Sequence, residues 1–78
     1  MVHRKTYPAE DNYEIALATE CLSDGWAVVA SLKHFTPGAE RVVDLPVPTE
    51  RFATEAEAEG FGLAMARDYI ERNVSRAA

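Results

Sequence analysis

The chain has one thiol, Cys21, and two imidazoles, His3 and His34, so any nucleophilic or metal chemistry must pass through these groups or through carboxylates. A cysteine attacks substrate when a base stands within hydrogen-bond reach, and separation along the chain does not forbid a Cys21–His34 pair. Cys21, however, alternates in phase with Ile15 and Leu17, the pattern of a small buried hydrophobe. Ser31, His34 and Asp44 supply the residue types of a hydrolytic triad, yet no strained elbow or oxyanion-forming loop accompanies them. A zinc centre needs four ligands, usually in short paired spacings, and no such pair exists here. Glu55, Glu57 and Glu59 form an acidic patch, but at a helix start carboxylates complement the positive end of the helix. Gly60 and Gly62 lack the strand–loop–helix setting and the Lys-Ser/Thr pair of a phosphate loop. These residues point to no catalytic, metal or cofactor site. The expectation is a domain that works by binding and not an enzyme.

The elements that must carry any binding surface follow from periodicity. Residues 1–11 contain Pro8 and Glu10-Asp11 and show no regular pattern, so they are expected to form an extended arm. From Tyr13, the residues Ile15, Leu17, Thr19 and Cys21 alternate with Glu14, Ala16, Ala18 and Glu20, which is the period of a half-buried strand. Ser23-Asp24-Gly25 marks a hairpin, and Trp26–Phe35 is a second strand rich in β-formers. Thr36-Pro37-Gly38-Ala39 supplies another turn, since proline presets φ and glycine accepts positive φ. Arg41–Leu45 then makes a third strand, placed at an edge because Pro46 and Pro48 cannot donate ladder hydrogen bonds.

Thr54-Glu55-Ala56-Glu57 is a capping box in which the Thr54 hydroxyl takes the Glu57 amide. The helix it starts is expected from Glu55 to about Asn73, with Ala58, Gly62, Leu63, Met65, Ala66, Tyr69 and Ile70 on one face. Two glycines inside a helix cost roughly 1 kcal/mol each relative to alanine, which suggests close packing on the sheet. The fold class is therefore α+β: a three-stranded antiparallel β-meander packed on one long C-terminal helix, β-β-β-α. A single domain spans residues 12–74, between the arm at 1–11 and a tail at 75–78. Its core is expected from Ile15, Leu17, Val28, Ala30, Leu32, Val43 or Leu45, Phe52, Leu63, Met65, Ala66, Tyr69 and Ile70.

Seventy-eight residues, 47% of them apolar and 27% charged, fit one small globular domain and exclude most large enzyme architectures. A lone cysteine cannot close an intrachain disulfide, and no signal-length apolar run follows Arg4-Lys5. No stretch reaches the about 18 apolar residues of a membrane span. A reducing cytoplasm is the expected compartment, with no membrane partner. The net charge of −5 opposes non-specific attraction to phosphate backbones.

The segment from Gly25-Trp26 to Phe52-Ala53-Thr54-Glu55-Ala56-Glu57-Ala58 places a Trp-bearing strand after a turn and an aromatic residue before Thr-x-x-Glu. In this order of elements, over roughly residues 13–72, the chain resembles the arm-type DNA-binding domain of tyrosine integrases. It is also similar to several small bacterial β-β-β-α families. The integrase resemblance implies that the outer sheet face enters a major groove with Arg and Lys side chains. The cations available for that role are Arg4, Lys5, Lys33 and Arg41.

A protein partner makes different demands. One helix covers one face of a sheet, which leaves Ala16, Ala18, Val29 and Ser31 at the centre of the other. That mild patch is open to the arm, to a partner or to a second copy of the chain. Phe61 projects to the margin of the polar helix face and offers a second contact. Ala18, Val29 and Phe61 are thus the candidate protein contacts, for an unknown partner or a homodimer. Nucleic acid is the alternative partner.

Overall fold

The computed structural model describes the backbone of residues 2–77 and the side chains of residues 2–73. Four strands, β1 (Val2–Pro8), β2 (Tyr13–Leu22), β3 (Gly25–Thr36) and β4 (Ala39–Asp44), precede one helix, α1 (Glu55–Ala77). They form a single antiparallel sheet in the order β1-β2-β3-β4. The α+β class and the C-terminal helix agree with the sequence; the strand count does not. The segment expected as an extended arm, residues 1–11, contains β1, a fourth strand paired along its whole length with Glu14–Glu20 of β2. It shows no apolar alternation because its helix-side residues at positions 3 and 5 meet acids of α1, and only Tyr7 packs against the core.

Turn chemistry fixes the register. Asp11 and Asn12 both take left-handed φ values, 56° and 63°, which these two residue types tolerate best among non-glycines. The β2–β3 hairpin closes through Ser23 and Asp24, so Leu22 faces Gly25. Gly25 sits at φ +129°, and a Cβ there would lie 2.9 Å from the Phe52 carbonyl oxygen. That close approach is the bridge between Trp26 and Phe52, whose amides and carbonyls exchange hydrogen bonds of 2.8 and 3.0 Å. Pro37-Gly38, with Gly38 at φ +79°, closes the β3–β4 hairpin as a type II turn requires.

α1 starts at its cap: the Glu57 amide donates to Thr54 Oγ1 at 3.2 Å. The helix packs over β2 and β3. Ile15, Leu17, Val28, Ala30, Leu32 and Leu45 meet Ala58, Ala66 and Ile70 in the buried core, with Trp26, Val43, Phe52, Leu63, Met65 and Tyr69 around it. Gly62 is where the two layers come closest, since a Cβ there would stand 2.9 Å from both Leu17 Cδ2 and Val28 Cγ2. Gly60 faces open space, so close packing explains only one of the two helical glycines. Cys21 also departs from expectation, being exposed. It lies on the helix side of β2, but α1 begins at Glu55, level with Thr19, and leaves the strand end uncovered. The expected tail at 75–78 is helical to Ala77, and its side chains lie outside the described residues.

Candidate interaction surface

Alternation sends half of each strand away from α1. The cross-strand register arranges those residues in rows across the outer face. Val2, Glu20 and Ala27 form the first row, and Arg4, Ala18 and Val29 the second. Thr6, Ala16, Ser31 and Asp44 make the third, Pro8, Glu14, Lys33 and Val42 the fourth, and Phe35 with Glu40 closes the far end. The arm lies in the plane of the sheet as β1, so it widens this face instead of covering it.

Side-chain size gives the face its shape. Ala16, Ala18 and Ala27 keep the centre low, and two shallow depressions of about 200 and 190 Å³ adjoin over Ala18 and Val29. Val2, 43% exposed, and Val29, 45% exposed, border them, while Val42 at 60% and Phe35 at 42% stand on the same face two and three rows beyond Val29. Those are four of the six large hydrophobics exposed among the described residues, and they share one face. Isolated exposed apolar residues need no explanation; a group gathered on one side does.

The three candidate protein contacts do not converge. Ala18 and Val29 are direct cross-strand neighbours on the outer face. Phe61 belongs to the helix layer, where its ring tilts against Phe52 at a centroid distance of 5.2 Å. The four candidate cations divide likewise. Arg4 and Lys33 lie on the outer face, Lys33 with Glu40 at 3.9 Å. Lys5 lies on the other side, 2.7 Å from Glu59, and Arg41 pairs with His34 on that same side. Glu14, Glu20, Glu40 and Asp44 outnumber Arg4 and Lys33 on the outer face, so it carries both signs with an acidic excess.

The chemistry-bearing residues are kept apart by the register. Cys21 faces Trp26 at one end of the β2–β3 ladder, while His34 faces Tyr13 at the other and stacks on its ring at 4.1 Å. Ser31 and Asp44 are neighbours on the outer face, and His34 points to the opposite one. Among the described residues, no group of three His, Cys, Asp or Glu side chains gathers as a metal site would, and no helix is long and apolar enough to cross a membrane.

One polar cluster escapes sequence reasoning. The His3 ring, through Nδ1, and the buried Thr19 hydroxyl both donate to Glu55 Oε2, at 2.5 and 2.9 Å. These donors, His3 first, hold the Glu55 carboxyl below the ordinary value of a glutamate. Next to it, the hydrogen bond and charge of Glu59 raise the Lys5 ammonium above the usual lysine value. The spacing explains the pairing: two residues of strand advance about 6.7 Å and four of helix about 6 Å, so His3 and Lys5 match Glu55 and Glu59. The visible signal is a basic i, i+2 pair in the arm and an acidic i, i+4 pair in the helix. Neither has meaning until β1 is recognised as a strand. This cluster docks β1 to α1. No family model matches the chain, and no curated protein or solved structure is detectably similar to it.

Proposed function

We propose that this protein acts through protein contact and not catalysis, using the outer face of its sheet, and that the occupant of that face is a second copy of the chain. The observation that carries the reading is that Val2, Val29, Phe35 and Val42, four of the six large hydrophobics exposed among the described residues, share the one face whose centre is a low alanine floor. A sheet face with a low centre can receive another sheet face, as in aligned sheet-on-sheet packing with layers about 10 Å apart. Four strands at about 4.8 Å spacing and about seven residues in length give a face of roughly 450 Å² in projection. That is small beside the about 800 Å² per partner of a standard interface, so the expected dimer is a weak one that forms only at high concentration. The sheet edge is the poorer route to self-association, because an antiparallel pairing of two β1 strands sets the basic run His3-Arg4-Lys5 against itself. A nucleic-acid partner has weaker support, since the four candidate cations lie on both sides of the sheet and Lys5 is paired with Glu59.

The test is the molar mass by light scattering from micromolar to millimolar protein. The expected result is a concentration-dependent rise towards twice 8.6 kDa, abolished by Val29→Lys with the thermal unfolding of the monomer preserved. A mass that stays monomeric throughout overturns the reading.

A further inference from the structure

The charges on the outer face select one way of pairing two copies, and this inference rests on the function proposed above. We infer that the copies are related by a two-fold axis running parallel to the strands, midway between β2 and β3. Such an axis keeps each row level with itself and places β2 of one copy over β3 of the other. Ala18 then faces Val29 of the second copy, and Ala16 faces its Ser31. In the fourth row, Glu14 faces Lys33 of the second copy and Lys33 faces its Glu14. Glu14 and Lys33 are already direct neighbours within one sheet, so the four charges close into an alternating square. Across a layer separation of about 10 Å, a glutamate and a lysine are together long enough to meet. Thr6 and, one row away, Arg4 approach Asp44 of the second copy, which adds a weaker opposite-sign contact on each side.

The competing arrangement is a two-fold axis across the strands. It exchanges the first row with the fourth and the second with the third. Glu14 then faces Glu20 of the second copy, twice over, and both lie on β2. Like charges set opposite each other in an interface are strongly unfavourable, whereas the strand-parallel axis sets no like pair opposite within the first four rows. The alanine floor accepts either packing, and the charged rim discriminates between them. Charge placement thus determines the pairing geometry, and residue volume supplies the contact.

The experiment uses the full chain with Glu14→Lys, Lys33→Glu and the double reversal, alone and mixed. Each single reversal makes the square uniformly charged, and dimerisation is expected to weaken roughly tenfold or more. The double reversal restores alternation and recovers dimerisation to near that of the unaltered chain. Mixing the two singly reversed chains is the decisive arm. One chain then carries only lysines in the fourth-row pair and the other only glutamates, so opposite signs meet between chains and nowhere within one. A heterodimer tighter than either homodimer is expected. Bulk attraction does not account for it, since each reversal moves the net charge of −5 by two units and both variants stay acidic. Glu14→Gln and Lys33→Gln, which leave no like-charge pair within the sheet, are expected to show the same loss more weakly. A Glu14→Lys homodimer that tightens would place position 14 against Glu20 and overturn the axis. The axis is equally overturned if Val29→Lys abolishes the dimer while the reversals leave it unchanged, an outcome that spares the proposed function. A chain monomeric at every concentration overturns both.

Discussion

The two faces of the sheet are made from the same strands by simple alternation, yet they differ sharply in residue volume. At the centre of β2 and β3 the covered side carries Ile15, Leu17, Val28, Ala30 and Leu32, and the bare side carries Ala16, Ala18, Ala27, Val29 and Ser31, with Glu14, Glu20, Lys33 and Phe35 nearer the ends. Large side chains on one face interlock with α1 and form the core, because burial stabilises in proportion to apolar area removed from water. Small ones on the other would contribute little to a packed core, but they leave a smooth floor that a second flat surface can approach. The comparison separates residues that hold the monomer together from residues free to serve a contact.

The sharpest test of that division is a pair of truncations on β3. Leu32 is fully buried, and Leu32→Ala is expected to cost about 2–5 kcal/mol of unfolding free energy by lost transfer energy plus a residual cavity. In a domain of this size, where total stability is of the order of 0.05–0.15 kcal/mol per residue, that loss leaves little fold. Val29→Ala, three residues earlier on the bare face, is expected to change the monomer by less than about 0.5 kcal/mol. Urea unfolding at low protein concentration checks both. Similar costs at the two sites would break the distinction between the faces.

The two helical glycines repeat the comparison on a smaller scale. Gly62→Ala puts a methyl group 2.9 Å from Leu17 Cδ2 and Val28 Cγ2, inside the interlocked layer, and overpacking there is expected to cost about 1–3 kcal/mol. Gly60→Ala meets open space and replaces the weakest ordinary helix former with the strongest, for a gain of up to about 1 kcal/mol. The predicted signs are opposite for the same change two residues apart. Thermal unfolding of the two variants decides it, and a stabilising Gly62→Ala would mean that α1 stands further from the sheet than described.

Where a residue's neighbours lie on its own element, its place is legible in the sequence. The alternation of 13–21 identifies β2, the Thr54–Glu57 spacing marks the first turn of α1, and Pro37-Gly38 marks a turn with positive φ at the glycine. Ala18 and Val29 are legible as outer-face residues for the same reason. What stays hidden depends on partners distant along the chain. β1 has no periodic signature because its inward positions, 3 and 5, bind the acids Glu55 and Glu59 more than fifty residues away and not the core. Cys21 obeys its alternation and is still exposed, because the level at which α1 begins is a tertiary fact. The candidate cations look like one group until the register sends Arg4 and Lys33 to one side and Lys5 and Arg41 to the other.

The smallest expected effect concerns charge on the two faces. On the bare side Lys33 and Glu40 meet only at 3.9 Å, near the surface, whereas on the covered side Glu55 accepts hydrogen bonds from both His3 and Thr19. Because those bonds depress the Glu55 pKa in the folded chain, the unfolded chain binds more protons on Glu55 in the acidic range. The stabilisation is therefore present above the ordinary glutamate value of about 4.3 and is lost as pH falls through the depressed folded value. Lys5 works in the opposite sense: its raised pKa stabilises below the ordinary lysine value and fails as pH rises through the folded one. Glu55→Gln removes the acid-side contribution, so the stability gap between the unaltered chain and this variant should hold steady near neutrality and close on acidification. Thr19→Val, which deletes one donor and keeps the shape, should narrow that gap partway. Chemical denaturation between pH 7 and about pH 3 measures it. A gap that stays constant across that range would mean that the His3–Glu55–Thr19 cluster does not bind β1 to the helix through charge, and that the edge strand is held by its ladder to β2, the Lys5–Glu59 pair and Tyr7.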